Sequence, residues 1–294
     1  MNEKNLHLSF LYTLGFTQRK LSFILDEWID PTEVYCSPSS FFERLKITEE
    51  KWAKILLAKQ IFDEKKHQEI LKKNEVTLIS KTEDTYPSLL GQLPNSPAIL
   101  YVQWKLPHHE KLISVVGSRK HSPYAKQALE ITLPGVLERW YEVVSGGAYG
   151  LDSVAHEMCV NRWKPTHIVL GSGIDLWYPR WWVKLFQQAL DAWGSIISHF
   201  PLETLAEPYN FPIRNEVVAG ISRGTLVAEA AEESWTLITA RLALEMNRDV
   251  FVIPADISRE GAWGSNQLIR DGLGKLTTSA DDILCEYEGL DVIQ

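Results

Sequence analysis

Cysteine is scarce in this 294-residue chain: Cys36, Cys159 and Cys285 are widely spaced and form no CxxC pair. That number and spacing argue against a disulfide framework or a zinc site and fit a reducing compartment. Long apolar runs are missing as well. No window approaches the roughly 20 apolar residues of a spanning helix, and MNEKNLHLSF lacks the basic start and apolar stretch of a signal peptide. The chain reads as soluble and cytoplasmic, with no membrane partner. A surplus of positive charge is also absent, since 30 basic residues face 38 acidic ones for a net charge of −8. An average field of that sign repels phosphate. The deficit is unevenly placed, however. Residues 1–75 hold 12 bases and 12 acids, residues 281–294 hold five acids and no base, and the stretch between carries only −3. A local basic groove overrides a deficit of that size.

What is present is ordinary globular composition, 45% hydrophobic and 23% charged, with a length that allows one large α/β domain and a small one. Tryptophan stands out: there are 11, nine of them from Trp104 onward. Its ring serves cores, interfaces and base stacking alike.

Residues 1–75 contain one glycine, Gly15, and read as short helices. Leu6, Phe10, Leu11 and Leu14 fall at helical spacing, and Leu21, Ile24, Leu25 and Trp28 repeat it. A third run, Trp52 to Phe62, leads into DEKKHQEILKK, which reads as a solvated helix face. This part is expected to be a small all-α domain. At Val76 the texture changes. VTLIS reads as a strand, and a proline-bearing loop leads to another at AILYVQW. From there the apolar runs ISVVG, EVVSGG, HIVLGSG, SIISHF, GTLVAEA and DVFVIPA alternate with helical patterns. Continuous apolar strands separated by helices predict a doubly wound, mostly parallel sheet covered on both faces over residues 76–294.

Ligands of such sheets bind at the carboxyl ends of the strands. Here three of those ends run into Gly117-Ser118-Arg119, into Ser145-Gly146-Gly147-Ala148-Tyr149-Gly150, and into Gly171-Ser172-Gly173. Glycines let backbone approach a ligand closely, and the helix N-termini that follow offer free N–H groups to an anion. The anion is not marked as a familiar cofactor. GSGIDL lacks the third glycine of GxGxxG, Gly274-Lys275 is followed by Leu276 and so fails the P-loop pattern, and His156-Glu157 meets Val160 where HExxH needs histidine. No Ser lies in a GxSxG elbow, and no carboxylate pair shows acid–base spacing. No cofactor, metal or catalytic group is therefore expected. Arg119, Arg180 and Arg214 lie in turns near the strand ends, with Tyr149, Trp177, Tyr178, Trp181, Trp182, Tyr209 and Phe211 beside them. Arginines interleaved with aromatics suit single-stranded nucleic acid, cation to phosphate and ring to base.

The segments IxVVGSR with Ser-Pro-Tyr nearby, SGGAYGLDSVAH, VLGSGIDLWYP, NFPIRNEVVAGIS, LITARLALEMNRDVFVIP and GSNQLIRDG occur in that order. Together they resemble the DprA/Smf family of DNA-processing proteins, over about 200 residues. The resemblance implies an extended Rossmann-like domain that binds single-stranded DNA, protects incoming strands, forms a homodimer and loads a RecA-type recombinase during natural transformation, without catalytic turnover. It also implies that the helical part matches the SAM-like domain of many members, while the C-terminal winged helix of some is not expected here. By motif position, Gly117, Ser118 and Arg119 grip a phosphate, and Gly146, Gly147 and Gly150 form a close-approach loop. Arg180 adds a basic contact, Arg214 and Asn215 line the pocket, and Ser234, Trp235, Thr236 and Thr239 present the last loop. The stretch near Leu268, Ile269 and Leu273 is the dimer candidate by the same resemblance.

The chain departs from the family pattern at several positions. Glu216 stands where a second arginine is usual, Pro208 where a lysine is often found, Ser198-His199 where Ser-Glu is usual, and Pro254-Ala255 where Pro-Gly is usual. Trp235 replaces a glycine that lets backbone meet phosphate, so its ring either stacks on a base or blocks the path. Fewer phosphate contacts mean lower affinity and lower salt sensitivity. Two other readings share the fold class. One is a LOG-type nucleotide hydrolase, for which Arg223-Gly224-Thr225 with Glu229 is a near miss to the signature. The other is a nucleotide-sensing or protein-interaction module.

Overall fold

The computed structural model describes residues 2–107, 110–259 and 262–287. The first part holds α1 (Glu3–Thr13), α2 (Gln18–Asp26), α3 (Pro31–Cys36), α4 (Glu49–Ile61) and α5 (Glu64–Lys73). Four of them start where sequence chemistry favours it. The side chains of Asn2, Thr17, Asp30 and Asp63 accept a backbone N–H from the first turn of α1, α2, α3 and α5. Phe10, Leu11, Leu21 and Ile24 are buried as their spacing predicts. Trp28 does not join them: it lies beyond the end of α2 and is 91% exposed. The charged run 63–73 is largely solvated, but His67 and Leu71 are buried. His67 Nε2 lies 2.8 Å from Ser9 Oγ, which is itself 2.8 Å from the Tyr101 hydroxyl.

Among the described residues nine strands form one sheet: β1 (Val76–Ser80), β2 (Ile99–Gln103), β3 (Leu112–Gly117), β4 (Glu142–Ser145), β5 (Thr166–Val169), β6 (Ser195–Ser198), β7 (Gly224–Glu229), β8 (Asp249–Val252) and β9 (Lys275–Leu276). Their order is β1-β2-β6-β5-β4-β3-β7-β8-β9. The β1–β2 and β2–β6 pairs are antiparallel and the rest parallel. Between strands lie α6 (Ser88–Gly91), α7 (Pro123–Glu138), α8 (Leu151–Val160), α9 (Val183–Asp191), α10 (Asn210–Gly220), α11 (Trp235–Glu245) and α12 (Trp263–Arg270), with α13 (Asp281–Leu284) after β9. α6 breaks the segment expected to be a plain loop.

Helices cover both faces of the sheet. Leu90, Val217, Val218, Leu237, Ala240 and Leu268 pack one face, against Val116, Val144, Val169 and Val227. On the other, Leu129, Leu133, Val154 and Ala155 of α7 and α8 pack against Ile113, Val115 and Val143. The N-terminal helices extend that second layer, since Leu8, Phe10 and Leu71 share one buried cluster with Ile99, Tyr101, Ile168 and Ile196. The chain leaves β3 through α7 for β4 on one side and reaches β7 on the other side through α10. The strand order therefore reverses at β3, and the crevice between the carboxyl ends of β3 and β7 is the expected ligand position. No helix among the described residues is long and apolar enough to cross a membrane.

Candidate nucleic-acid interface

The three glycine turns do meet at the carboxyl edge of the sheet, but their glycines fit them to one another. A side-chain carbon at Gly117 would lie 2.6 Å from Leu151, and one at Gly147 would lie 2.8 Å from Ile168. At Gly150, with φ +86°, it would run into the Ser118 carbonyl. At Gly146 it would occupy the place of the Arg214 guanidinium. The close approach predicted toward a ligand is thus made by the protein's own atoms. Ser118 holds the turn from the other side. Its N–H donates to the Glu229 carbonyl (2.9 Å), its carbonyl accepts from Leu151 N–H (3.3 Å), and its Oγ accepts from Lys120 N–H (3.2 Å).

The three arginines divide into two kinds. Arg214 is buried at 4% exposure. Its Nη1 donates to the carbonyl oxygens of Gly146 and Val169, and its Nε donates to Asn215 Oδ1 at 2.9 Å. Burial pulls its pKa down to about 10, with Asp152 opposing. Burial likewise pushes the Asp152 carboxyl above its usual range, against the pull of Arg214 and of the N–H groups of Ala148 and Gly117. Arg214 and Asn215, expected to line the pocket, instead lock β4, β5 and α10 together from inside. Arg119 and Arg180 are exposed. The Arg119 guanidinium carbon lies 5.8 Å from the centroid of Phe211, and Arg214 lies 5.8 Å from the same ring. Among the described residues no hydrogen bond or ion pair holds Arg119.

Aromatic rings continue from there. Phe211 is 6.1 Å from Tyr178, and Tyr149 stacks on Trp181 at 4.9 Å with 28° between planes. Tyr149, Tyr178 and Trp181 are all exposed. Trp177 and Trp182 lean inward against the cluster that contains Phe186. Asp175, Trp177, Tyr178, Arg180 and Leu205 line an open hollow of about 610 Å³ beside this row.

The last predicted loop keeps little of its polarity for a ligand. Ser234 caps α11, accepting from Leu237 N–H at 3.4 Å and donating to the Ala231 carbonyl at 3.0 Å. Thr239 donates to the Trp235 carbonyl at 3.0 Å, and Thr236 is buried. Of these four residues Trp235 is exposed, Ser234 half-buried and both threonines buried. Hydroxyls expected to face a strand are therefore turned into the helix, because a threonine four residues on can bond back to its own turn. Glu216 faces away from the crevice. It lines a separate hollow of about 370 Å³ with Gln18, His199, Glu245 and Met246, so its acid does not oppose a strand at the sheet edge. The Gly224-Thr225 pair lies inside β7 rather than in a loop, which removes the hydrolase near miss as a phosphate turn. Of the dimer candidates, Leu268 is core and Leu273 is exposed. Among the described residues no three His, Cys, Asp or Glu side chains group to hold a metal.

Two further residues build the site from beneath. Asp152, the buried partner of Arg214, is hidden in an ordinary helix start. Glu229 accepts from both the N–H (3.0 Å) and the hydroxyl (2.5 Å) of Ser122, tying the start of α7 to the end of β7.

The family model for DNA recombination-mediator protein A matches residues 77–288. The chain is 36% identical over 208 residues to Protein Smf of Escherichia coli, covering 70% of this chain and 55% of that protein. It is 35% identical over 207 residues to DNA processing protein DprA of Streptococcus pneumoniae, 70% of this chain and 72% of the relative. With the first two curated relatives, it spans about half their length. Among solved structures, DNA processing protein A from Streptococcus pneumoniae superposes with a TM-score of 0.80 and 28% identity, over 98% of this chain and 99% of that one. DNA processing protein A from Helicobacter pylori, described for its single-stranded DNA binding mode, superposes with a TM-score of 0.63 over 72% of this chain and 95% of that one. At 23% identity that second likeness speaks for the fold alone. Model, relatives and architecture agree, and the chain belongs to the DNA recombination-mediator protein A family.

Proposed function

We propose that this chain binds single-stranded DNA along the carboxyl edge of its sheet and hands the strand to a RecA-type recombinase. The observation that carries the reading is the free, exposed guanidinium of Arg119 over Phe211, with the stacked Tyr149–Trp181 pair on the same edge. A cation paired with phosphate and rings paired with bases bind a strand without reading its sequence. The likeness to relatives described as DNA processing proteins supports this reading.

In this reading Arg119 and Arg180 meet phosphates, and Gly117 and Ser118 hold the turn that carries Arg119. Gly146, Gly147, Gly150, Arg214 and Asn215 shape the edge from beneath. Ser234, Thr236 and Thr239 build the start of α11, where N–H groups favour an anion, and Trp235 stands in the approach. The protein acts as a homodimer without turnover. Leu273 and Leu276, both exposed beside the edge strand β9, are the apolar contacts for it.

Quenching of tryptophan fluorescence by oligo-dT, titrated across salt, tests the reading. Binding that weakens with salt, at the shallow slope of a few phosphate contacts, is expected. Absence of quenching at low salt, with a folded protein, would sink it.

A further inference from the structure

Four helices end in one hydrogen-bond pattern, and a tryptophan fills its left-handed position every time. After α2, Trp28 N–H reaches the Leu25 carbonyl (3.1 Å) and Ile29 N–H reaches Ile24 (2.9 Å). After α7 the pairs are Trp140 to Leu137 (3.2 Å) and Tyr141 to Val136 (3.4 Å). After α8 they are Trp163 to Val160 (3.1 Å) and Lys164 to Cys159 (3.0 Å). After α9 they are Trp193 to Leu190 (3.0 Å) and Gly194 to Ala189 (2.8 Å). The φ angles of these tryptophans are 54°, 64°, 53° and 70°. This is the Schellman motif, whose left-handed residue is usually glycine because a Cβ there crowds the backbone. Elsewhere the chain departs from that rule at Glu75 (φ 52°) after α5 and, outside helix ends, at Lys46 (φ 47°) and Glu203 (φ 62°), but it follows the rule at three other helix ends. Gly15 (φ 100°) and Gly272 (φ 69°) hold the position after α1 and α12, and Asn247 (φ 55°) holds it after α11. A fifth tryptophan, Trp104 just after β2, has φ 72°.

A bulky ring is the least suitable side chain for this backbone. It would persist if the ring did something, and these five rings are exposed by 51–91%. None makes an aromatic pair among the described residues. A cation does lie over one of them, Lys164 Nζ at 4.1 Å from the Trp140 ring. Other tryptophans behave differently. Trp52 is buried between Phe16 and Phe42, and Trp177 Nε1 donates to Gln103 Oε1 at 2.9 Å. Trp104, Trp140, Trp163 and Trp193 do share one edge of the sheet, opposite the candidate interface. Topology accounts for that: α7, α8 and α9 end just before β4, β5 and β6, and antiparallel β2 ends on the same edge. Trp104 and Trp193 line a hollow of about 380 Å³ there with Asn74, Gln103, Gln187 and Leu190, while Trp28, Trp140 and Trp163 have no part in it.

We propose that positions 28, 104, 140, 163 and 193 are glycine positions, and that the codon read there as tryptophan is decoded as glycine in the cell that makes this protein. One codon suffices. UGA is a stop in the standard code, tryptophan in some genetic codes and glycine in others, so a single tRNA decides all five. Glycine satisfies every one of these φ angles and retains every backbone hydrogen bond of the four motifs. The assignment is independent of what the chain binds.

Peptides of the protein purified from cells carrying its gene, sequenced by tandem mass spectrometry, are expected to show glycine at 28, 104, 140, 163 and 193 and tryptophan at 52. Tryptophan at the five positions overturns the proposal and leaves that edge as an aromatic ledge. The gene supplies a second readout. The five positions should share the UGA codon and Trp52 should carry UGG; UGG at all five overturns the proposal. A recombinant chain with Trp28→Gly, Trp140→Gly, Trp163→Gly and Trp193→Gly together should melt several degrees above the unsubstituted chain. A lower Tm would show that these are not glycine positions.

Discussion

Arg214 and Gly146 interlock: Nη1 of the arginine donates to the glycine carbonyl, and the space a side chain at 146 would need is filled by the guanidinium itself. Gly146→Ala is expected to destabilise the protein by about 1–3 kcal/mol, the usual cost of forcing a methyl group into a packed interior. Arg214→Ala should cost more, because it strips the Gly146 and Val169 carbonyls of a charged donor inside the protein and removes the cation whose field opposes the burial of Asp152. Urea unfolding measures both. A Gly146→Ala protein as stable as the parent would mean that Arg214 is free to leave its pocket.

Arg119→Ala should leave the unfolding midpoint nearly unchanged, since the side chain is exposed and holds nothing in place. It should weaken oligo-dT binding and lower the slope of log K against log salt by about 0.7, the value of one phosphate contact on a single strand. An unchanged slope would remove Arg119 from the interface.

Tyr149→Ala should weaken binding by a different route. Losing a stacked ring costs about 1–3 kcal/mol per base while the salt slope stays where it was. Equal affinity in the variant would show that bases do not rest on the Tyr149–Trp181 pair. Trp235→Gly is expected to tighten binding, because it uncovers the N–H groups that open α11; weaker binding would assign its ring a stacking role instead.

His199 sets a pH dependence. Burial, with Arg214 adding to it, lowers its pKa to about 3, and neither ring nitrogen has a partner among the described residues. The folded value lies below the unfolded one of about 6.5. The neutral ring therefore favours folding fully above pH 6.5, and stability is lost as pH falls below it. His199→Leu should remove that loss. The stability difference between variant and parent should grow by up to about 1.4 kcal/mol per pH unit below 6.5 and stay flat above 7. Parallel stability curves between pH 7 and 5 would show that the ring already shares a proton with a neighbour.

Sequence and structure agree where a single physical signal dominates. Strands β3 to β8 are buried on both faces, so each shows as an uninterrupted apolar run. β9 has two residues and no room for a pattern, and α6 is a single turn set among prolines. The glycine turns were legible as tight places, but glycine reports only that space is short. It does not say whether a phosphate, Leu151 or the Arg214 guanidinium fills it. Arg119 and Arg214 look alike in a sequence, each a base read as lying in a turn. Only the three-dimensional position of Asp152 separates the buried one from the exposed one. Thr239 shows the same limit, because a hydroxyl that can serve a ligand can equally serve the carbonyl one turn back.

The shared cluster of Leu8, Phe10, Tyr101 and Ile196 bears on the order of events at the ribosome. Domains tend to fold as they emerge, the N-terminal part first. Here α1–α5 leave the tunnel early, yet the surface they cover is finished only when β6 pairs with β2, with Ser198 opposite Tyr101. Tyr101 follows His67 closely in the chain and supplies the hydroxyl that Ser9 and His67 need, whereas Ile168 and Ile196 of the same cluster are made much later. The helical part is first to be made and among the last to be sealed, which gives a growing chain its longest exposure of apolar surface at its own beginning.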